Sequence, residues 1–347
     1  MASGTIPISP VKLTTKDFKS DQEVRWCPGC GDYAILAAVQ QFMPELNIAR
    51  ENTVFISGIG CSSRFPYYMN TYGMHSIHGR APAIATGLSA SRPDLSVWVV
   101  TGDGDALSIG GNHLIHALRR NVNLKILLFN NRIYGLTKGQ YSPTSEIGKI
   151  TKSTPGGSAD SPFNPISLAL GAEATFVART IDSDRKHLQS VLRAAAEHKG
   201  SAFVEIYQNC NIFNDGAFEV LKDPDSRDRA LVRLEHGKPI TFGRDGEFCV
   251  VHPPGGFGLE VRSTSDVPAT DIVVHDQHVA EPAYAFALSR LPGVSLEHTP
   301  IGVFRSVERA SYDELVRGQT TAAMATAGDP EADLSSLLNS GDTWTIL

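Results

Sequence analysis

The chain has 347 residues, five of them cysteines, with 41% hydrophobic residues and a net charge of −6. The charge argues against a nucleic-acid partner, the few cysteines argue against a disulfide framework, and no apolar stretch is long enough to span a membrane. Because the N-terminal residues also lack a basic segment followed by an apolar run, we expect a cytoplasmic globular protein.

The predicted secondary structure alternates between helices and apolar strands. In chain order, the patterns predict a helix over 32–42, a strand over 52–58, a helix over 80–92, a strand with a Gly-rich turn over 95–105, a helix over 110–121, a strand over 124–131, a helix over 185–198 and a strand over 202–209. Asp32 is expected to cap the first helix. This alternation is typical of an α/β fold, a parallel sheet with helices on both faces.

The chain is expected to divide into three regions. Residues 1–52 form an N-terminal arm with the first two cysteines, residues 53–215 form the α/β domain, and residues 216–347 form an irregular C-terminal extension. Residues 148–165 are rich in Gly, Ser and Pro, which indicates a long mobile loop. Loops of this length inside a compact domain often have a function.

Two short motifs lie at the ends of predicted strands. A Gly-Asp-Gly sequence (102–104) is separated by 25 residues from an Asn-Asn pair (130–131), and both lie at the carboxyl edge of the sheet. Ligands of α/β proteins bind at that edge. Asp103, Asn131 and the carbonyl of Ile133 offer the oxygen ligands that Mg²⁺ prefers. The glycines allow a pyrophosphate to approach the backbone and the start of the following helix. A lone Gly-Asp-Gly would indicate only a turn, so the paired spacing favours a site.

Four of the five cysteines could converge. Cys27 and Cys30 form a close pair, and Cys61 and Cys210 each follow a predicted strand at the carboxyl edge. A structural zinc site, a disulfide within the close pair and an iron–sulfur cluster are all compatible with this pattern. Zinc sites more often use two close pairs, so a cluster fits at least as well. Cys249 is expected to be an ordinary buried residue of a strand.

Several motifs between Val24 and Phe218 resemble those of a known family. They are CPGCGD, IGCSSR, HGRAPAIATG, GDGDALSIGGNH and NNRIYGLTKGQYSPT. Together they are similar to the beta subunit of 2-oxoacid:ferredoxin oxidoreductases, and most similar to the 2-oxoglutarate type, also called 2-oxoglutarate synthase. The resemblance implies a thiamine-diphosphate-binding fold over 53–215, with bound thiamine diphosphate, Mg²⁺ and one [4Fe-4S] cluster.

The resemblance also implies the residues of these sites. The cluster ligands would be Cys27, Cys30, Cys61 and Cys210. The magnesium ligands would be Asp103, Asn131 and the carbonyl of Ile133. The coenzyme would contact Ile59, Gly60, Cys61, Ser62, His78, Gly104, Asp105, Gly135 and Leu136. Arg64 would face the substrate carboxylate, since Arg suits bidentate pairing.

The activity implied by the resemblance is the oxidative decarboxylation of 2-oxoglutarate. The products would be CO2 and, with coenzyme A as cosubstrate, succinyl-CoA, and electrons would pass through the cluster to ferredoxin, a reaction of the tricarboxylic acid cycle. The chain offers no room for a pyrimidine-binding domain, so the resemblance implies an alpha subunit and an α2β2 assembly. The C-terminal extension would cover the cofactor site or contact that partner.

Three other hypotheses remain open at this point. The same chemistry could act on pyruvate or another 2-oxoacid. A thiamine enzyme without redox chemistry would not need four convergent cysteines. A zinc-stabilised α/β module without chemistry would not need the Gly-Asp-Gly and Asn-Asn spacing.

Overall fold

The computed structural model describes residues 6–291, 296–326 and 328–346. The strands are β1 (Thr53–Ser57), β2 (Tyr72–His75), β3 (Ser96–Gly102), β4 (Lys125–Asn130), β5 (Phe176–Ile181), β6 (Ala202–Tyr207), β7 (Leu231–Leu234), β8 (Thr241–Phe242), β9 (Phe248–Val251), β10 (Glu260–Ser263) and β11 (Thr299–Ser306). The α-helices are α1 (Asp32–Phe42), α2 (Ala81–Ser91), α3 (Asp103–Leu107), α4 (Gly111–Arg119), α5 (Pro165–Gly171), α6 (Arg185–Glu197), α7 (Arg227–Ala230), α8 (Ala283–Ser289), α9 (Tyr312–Thr326) and α10 (Pro330–Leu338).

An eight-stranded sheet in the order β2-β1-β3-β4-β6-β5-β11-β7 organises the molecule. The first six strands of this order are mutually parallel. Their carboxyl ends therefore meet at one edge, as the sequence predicted. All eight helices and strands that the sequence predicted are present, as α1, α2, α4, α6, β1, β3, β4 and β6.

The sheet separates two apolar layers. Leu127 and Leu128 are neighbours in β4, but Leu127 belongs to the cluster that includes α1 and α6, whereas Leu128 belongs to the cluster that includes α2 and α4. Because both faces of the strands are buried, their sequences are continuously apolar rather than alternating. None of the described helices is long and apolar enough to cross a membrane.

The start of α1 differs from the prediction. Gly31, rather than Asp32, is the N-cap residue, and Asp32 is the first residue of the helix. In the described part of the chain, neither oxygen of the buried Asp32 carboxyl has a hydrogen-bond partner. The prediction that Asp32 caps the helix is therefore wrong, and the Asp32 carboxyl does not bond to the start of α1.

The C-terminal extension is more regular than the sequence indicated. β7 and β11 join the main sheet, where β11 pairs antiparallel with β5 and parallel with β7. β8, β9 and β10 form a separate antiparallel sheet, and α9 packs against α2. β11 was difficult to predict because Pro300 and Gly302 interrupt its apolar residues. Residues 131–164 form a long connection without a helix or a strand, apart from isolated bridges, as expected for 148–165.

Candidate functional site

A cavity of about 440 Å³ lies at the carboxyl edge of the parallel strands. The loops after β1, β3 and β4 form most of its wall. Every residue predicted to contact the coenzyme lines this cavity: Ile59, Gly60, Cys61, Ser62, His78, Gly104, Asp105, Gly135 and Leu136. The predicted magnesium ligands Asp103, Asn131 and Ile133 line it as well. The fold thus brings together residues that are up to 77 positions apart in the chain, between Ile59 and Leu136.

The Asp103 carboxyl is buried at the start of α3, 2% exposed. Its Oδ2 accepts hydrogen bonds from Ser142 Oγ at 2.5 Å and from Thr144 Oγ1 at 2.6 Å. Burial raises the pKa of Asp103, and these two hydroxyls oppose the rise. Since both bonds use Oδ2, the hydroxyls leave Oδ1 to another partner.

The Asn-Asn motif provides further oxygen atoms beside Asp103. Asn131 Oδ1 accepts a hydrogen bond from the backbone N–H of Ile133 at 3.1 Å, which makes a tight turn after β4. The backbone carbonyl of Asn131 accepts a bond from Asn214 Nδ2 at 2.9 Å. A buried carboxylate together with amide and carbonyl oxygens is the donor set that a hard divalent cation prefers. These residues therefore fit a magnesium ion in their chemistry.

The Asp105 carboxylate holds two loops of the cavity in position. Its Oδ1 accepts bonds from the backbone N–H of Ile59 at 3.1 Å and of Gly79 at 2.8 Å. Its Oδ2 accepts a bond from Thr101 Oγ1 at 2.8 Å. A Cβ atom at Gly58 would lie only 1.9 Å from Asp105 Oδ2, so a glycine is required there. Asp105 therefore shapes the cavity through its side chain.

Gly104 permits a close approach that a side chain would prevent. A Cβ atom at this position would lie 2.1 Å from Tyr134 Cε1. The Tyr134 hydroxyl donates a hydrogen bond to the Gly104 carbonyl at 3.1 Å. The close packing of Tyr134, which follows the Asn-Asn motif, therefore requires a glycine at position 104.

Two of the four predicted cluster cysteines, Cys61 and Cys210, lie together beside the cavity. A Cβ atom at Gly135 would lie 3.5 Å from the Sγ atoms of both Cys61 and Cys210. Burial raises the pKa of the Cys61 thiol to about 12, and the charges of Asp32, Cys210 and Cys27 add to the rise. Burial also raises the pKa of Cys30, with contributions from Asp32, Cys61 and Cys210. Cys27 and Cys30 therefore lie close enough to Cys61 to interact with it electrostatically.

The state of the cysteines bears on the alternatives for this site. All five cysteines, which lie in the described ranges, are free thiols, and Cys27 is exposed. Cys30 Sγ accepts a hydrogen bond from Gln208 Nε2 at 3.2 Å. Among the described residues, no group of three or more His, Cys, Asp or Glu side chains is arranged around a single metal ion.

Asp32, Ser142 and Thr144 are among the polar groups of the site that sequence reasoning missed. Asp32 lines the cavity, and burial raises the pKa of its carboxyl to about 7. Ser142 and Thr144 reach Asp103 across about 40 positions of sequence, and no local pattern reveals that contact. The proximity of Asp32 to the close cysteine pair in CPGCGD was the one available signal.

Arg64 and the C-terminal extension lie outside the cavity. Arg64 Nη1 donates a hydrogen bond to the Arg25 carbonyl at 2.7 Å, and the side chain lines a separate surface depression with Tyr67 and Tyr68. The lining residues of the cavity all lie at or before Gln208. The described part of the extension therefore does not cover the cavity in this chain.

Comparisons with known proteins agree with this site. A family model described as the C-terminal TPP-binding domain of thiamine pyrophosphate enzymes matches residues 58–206. The 2-oxoglutarate oxidoreductase subunit KorB of Mycobacterium tuberculosis is 65% identical over 98% of this chain and 91% of its own length. The beta subunit of 2-oxoacid:ferredoxin oxidoreductase 1 of Aeropyrum pernix is 48% identical over 55% of this chain and 60% of its own length. The chain belongs to the beta subunits of 2-oxoacid:ferredoxin oxidoreductases.

A solved relative extends this assignment to the three-dimensional structure. The 2-oxoglutarate:ferredoxin oxidoreductase of Magnetococcus marinus, with 2-oxoglutarate, coenzyme A and succinyl-CoA bound, has a chain that matches with a TM-score of 0.76 and 33% identity. The match covers 96% of this beta subunit and 99% of that chain. The predicted family, its likeness to the 2-oxoglutarate type and the α/β fold are therefore confirmed.

The family assignment narrows the hypotheses for this beta subunit. It is a subunit of a thiamine-pyrophosphate-dependent enzyme, so the hypothesis of a zinc-stabilised module without chemistry is wrong. A beta subunit works in a complex with at least one other subunit. The cavity at the carboxyl edge lies within the loops and strands that the thiamine pyrophosphate model matches, apart from Asp32 and Gln208.

Proposed function

We propose that this beta subunit takes part in the oxidative decarboxylation of 2-oxoglutarate to succinyl-CoA and CO2, with electrons passed through a [4Fe-4S] cluster to ferredoxin. The observation that carries the proposal is the position of Cys61, which lines the coenzyme cavity and lies beside Cys210. A residue shared by the two sites would keep an electron acceptor close to the coenzyme. The names of two similar proteins support 2-oxoglutarate as the substrate.

The coenzyme would occupy the cavity behind the Gly-Asp-Gly turn. Thiamine diphosphate supplies the reactive carbon and the electron sink that decarboxylation of a 2-oxoacid requires. Backbone N–H groups of the loops after β1 and β2 would bind its diphosphate, and Asp105 holds both loops in place through its bonds to the N–H groups of Ile59 and Gly79. His78 and Leu136, which also line the cavity, would contact it from the sides.

A magnesium ion would join the diphosphate to the protein through Asp103, Asn131 and the carbonyl of Ile133. The buried Asp103 carboxylate supports this assignment, because its partners are hydroxyls rather than cations, and a metal ion would compensate the cost of its buried charge. The role of this chain is to present these oxygens in a fixed geometry. The hydrogen bond between Asn131 Oδ1 and the N–H of Ile133 contributes to that geometry.

The cluster would be bound by Cys27, Cys30, Cys61 and Cys210. The raised thiol pKa values of Cys30 and Cys61 describe thiols without a metal. Positive iron would favour the thiolates instead, since metal ligands are bound in the deprotonated form. Exposure of Cys27 gives the cluster a side near the surface, from which an electron could reach ferredoxin.

The remaining parts of the active site would come from an alpha subunit with a pyrimidine-binding domain, in an α2β2 assembly. The cavity of this chain is open, and several apolar side chains near it are exposed, including Ile77, Ile109 and Leu136. Such apolar side chains are often covered by a partner. Because Arg64 bonds to the Arg25 carbonyl outside the cavity, we leave it out of the proposed catalytic residues.

The test is an analysis of metals and electrons in the complex. The chain is purified anaerobically with its partner, and iron, acid-labile sulfide and zinc are measured per chain. We expect about four iron and four sulfide, as in a [4Fe-4S] cluster. Addition of 2-oxoglutarate with coenzyme A should produce the EPR signal of a reduced cluster, and pyruvate should produce less. Zinc without iron would overturn the electron-transfer role, and a stronger response to pyruvate would overturn the substrate.

A further inference from the structure

A buried ion pair lies two strands away from the proposed magnesium site. Arg179 Nε of β5 donates to Glu205 Oε2 of β6 at 2.7 Å, and these side chains are 2% and 0% exposed. Glu205 Oε1 accepts a second bond, from Asn130 Nδ2 of β4 at 2.8 Å. β5, β6 and β4 are adjacent strands, so this connection crosses the sheet inside the core.

The connection continues from Asn130 to the Asp103 carboxylate. The Thr144 hydroxyl lies 2.9 Å from Asn130 Oδ1 and 2.6 Å from Asp103 Oδ2, and it can share its proton between these two acceptors. The Ser142 hydroxyl donates to the same Asp103 oxygen at 2.5 Å. Asn130 Oδ1 also accepts the backbone N–H of Arg132 at 3.1 Å, which fixes the turn that follows β4.

We name this connection the polar chain; its members are Arg179, Glu205, Asn130, Thr144 and Ser142. Each member is buried, with at most 3% of its surface exposed. Burying an ion pair is costly, and an apolar pair of similar size would often be at least as stable. A role in positioning explains why charged and polar groups occupy this part of the core.

We propose that the polar chain positions the magnesium carboxylate. By holding Asp103 through Oδ2, it leaves Oδ1 in a fixed direction for the ion, as hydrogen-bonded partners of metal ligands do. This inference rests on the proposed magnesium site and extends it. Ser142 and Thr144 then act as positioning residues. Asn130, the first residue of the Asn-Asn motif, connects Glu205 to Thr144 and does not itself bind the ion.

The test compares two substitutions of Thr144 in the chain purified with its partner subunit and freed of bound cofactors. Thr144→Val keeps the shape of the side chain and removes the hydroxyl, whereas Thr144→Ser keeps the hydroxyl. The Kd for Mg²⁺ is measured by calorimetry with thiamine diphosphate present, and Mn²⁺ is used as an EPR probe of the same site. We expect Thr144→Val to raise the Kd about 10-fold or more, the usual effect of losing such a partner, and Thr144→Ser to remain near the original value.

Two further variants keep the test decisive. Ser142→Ala removes the other hydroxyl donor with a smaller change to the side chain, and it should also weaken Mg²⁺ binding. It therefore provides the test if Thr144→Val fails to fold. Thr175→Val is the matched control, because the Thr175 hydroxyl is also buried and bonded, to Asn121 Oδ1 at 2.6 Å, before the start of β5. We expect Thr175→Val to lower stability and to leave the Kd for Mg²⁺ unchanged.

The possible failures are distinguishable. If the unmodified complex binds Mg²⁺ but folded Thr144→Val and Ser142→Ala bind it equally well, the polar chain has no positioning role. The same conclusion follows if Thr175→Val weakens binding as much as Thr144→Val does. If the unmodified complex binds no Mg²⁺ in the presence of thiamine diphosphate, the proposed magnesium site itself is wrong, and this inference is lost with it.

Discussion

At the scale of single residues, two buried cysteines have contrasting surroundings. Cys210 follows β6 and lies beside Cys61, near the cavity. Cys249 lies within β9 and packs in a small apolar cluster with Val251 and Ile272. The two side chains are similarly hidden from solvent, 9% and 0% exposed, but only Cys210 has other thiols nearby. Burial alone therefore does not distinguish a candidate cluster ligand from a structural cysteine, whereas the presence of neighbouring thiols does.

These surroundings lead to different expectations for substitution by alanine. Cys210→Ala should remove a cluster ligand, so iron content and the EPR signal of the anaerobically purified complex should fall strongly. Cys249→Ala removes a small apolar group in a strand, so it should keep the cluster and lose only some thermal stability. Equal iron content in the two variants would contradict the assignment of Cys210.

The residues that the sequence could reveal are those in motifs at strand ends. Asp103 and Asn131 were found because each follows an apolar strand that a simple pattern predicts. Ser142 and Thr144 were not found, because their contact with Asp103 depends on how the long connection after β4 folds back. The location of Arg64 was also beyond the sequence, since a motif position does not specify which way a side chain points.

At the scale of helices and strands, the sequence predicted four central strands of the parallel sheet and missed β5 and β2. β1, β3, β4 and β6 are continuously buried and lie near the centre of the sheet. β5 is equally buried, but two consecutive polar residues, Arg179 and Thr180, interrupt its apolar sequence, whereas Glu205 alone interrupts that of β6. β2 lies at the edge of the sheet and its residues are exposed, so it lacks the apolar signal altogether. β5 and β2 were thus missed for different reasons, which are polar residues inside a buried strand and the lack of a buried face.

The ion pair between β5 and β6 should matter for the stability of the sheet. Glu205→Gln leaves the Arg179 guanidinium buried without its counter-charge, and loss of one partner of a buried pair costs about 3–5 kcal/mol. The control is Glu247→Gln, which breaks an exposed pair with Arg229 worth roughly 1 kcal/mol or less. Thermal unfolding of the complex compares them, and equal changes in Tm would show that Arg179 does not need a charged partner.

At the scale of the whole molecule, the C-terminal extension is part of the main domain. β11 pairs with β5 and β7, and its residues Ile301 and Phe304 are 0% and 1% exposed. Arg179, at one end of the polar chain, also lies over the ring of Phe304, which connects β11 to the interior of the sheet. By contrast, the described residues 328–346 are exposed throughout. The extension therefore contains one part that completes the sheet and another that does not contribute to its core.

Two truncations should separate these parts. Ending the chain after Ala230 removes β7 and β11, which would leave β5 as an unpaired edge and expose the apolar residues that β11 covers. Unpaired edge strands promote aggregation, so we expect this form to be insoluble or to melt at a much lower temperature. Ending it after Thr326 removes residues that are exposed throughout the described range 328–346, so the Tm of the complex should change little. If the chain ending at Ala230 remained folded with an unchanged Tm, the pairing of β11 with β5 would not contribute to the stability of the sheet. If the chain ending at Thr326 stayed folded but no longer co-purified with the partner subunit, the removed residues would belong to the subunit interface.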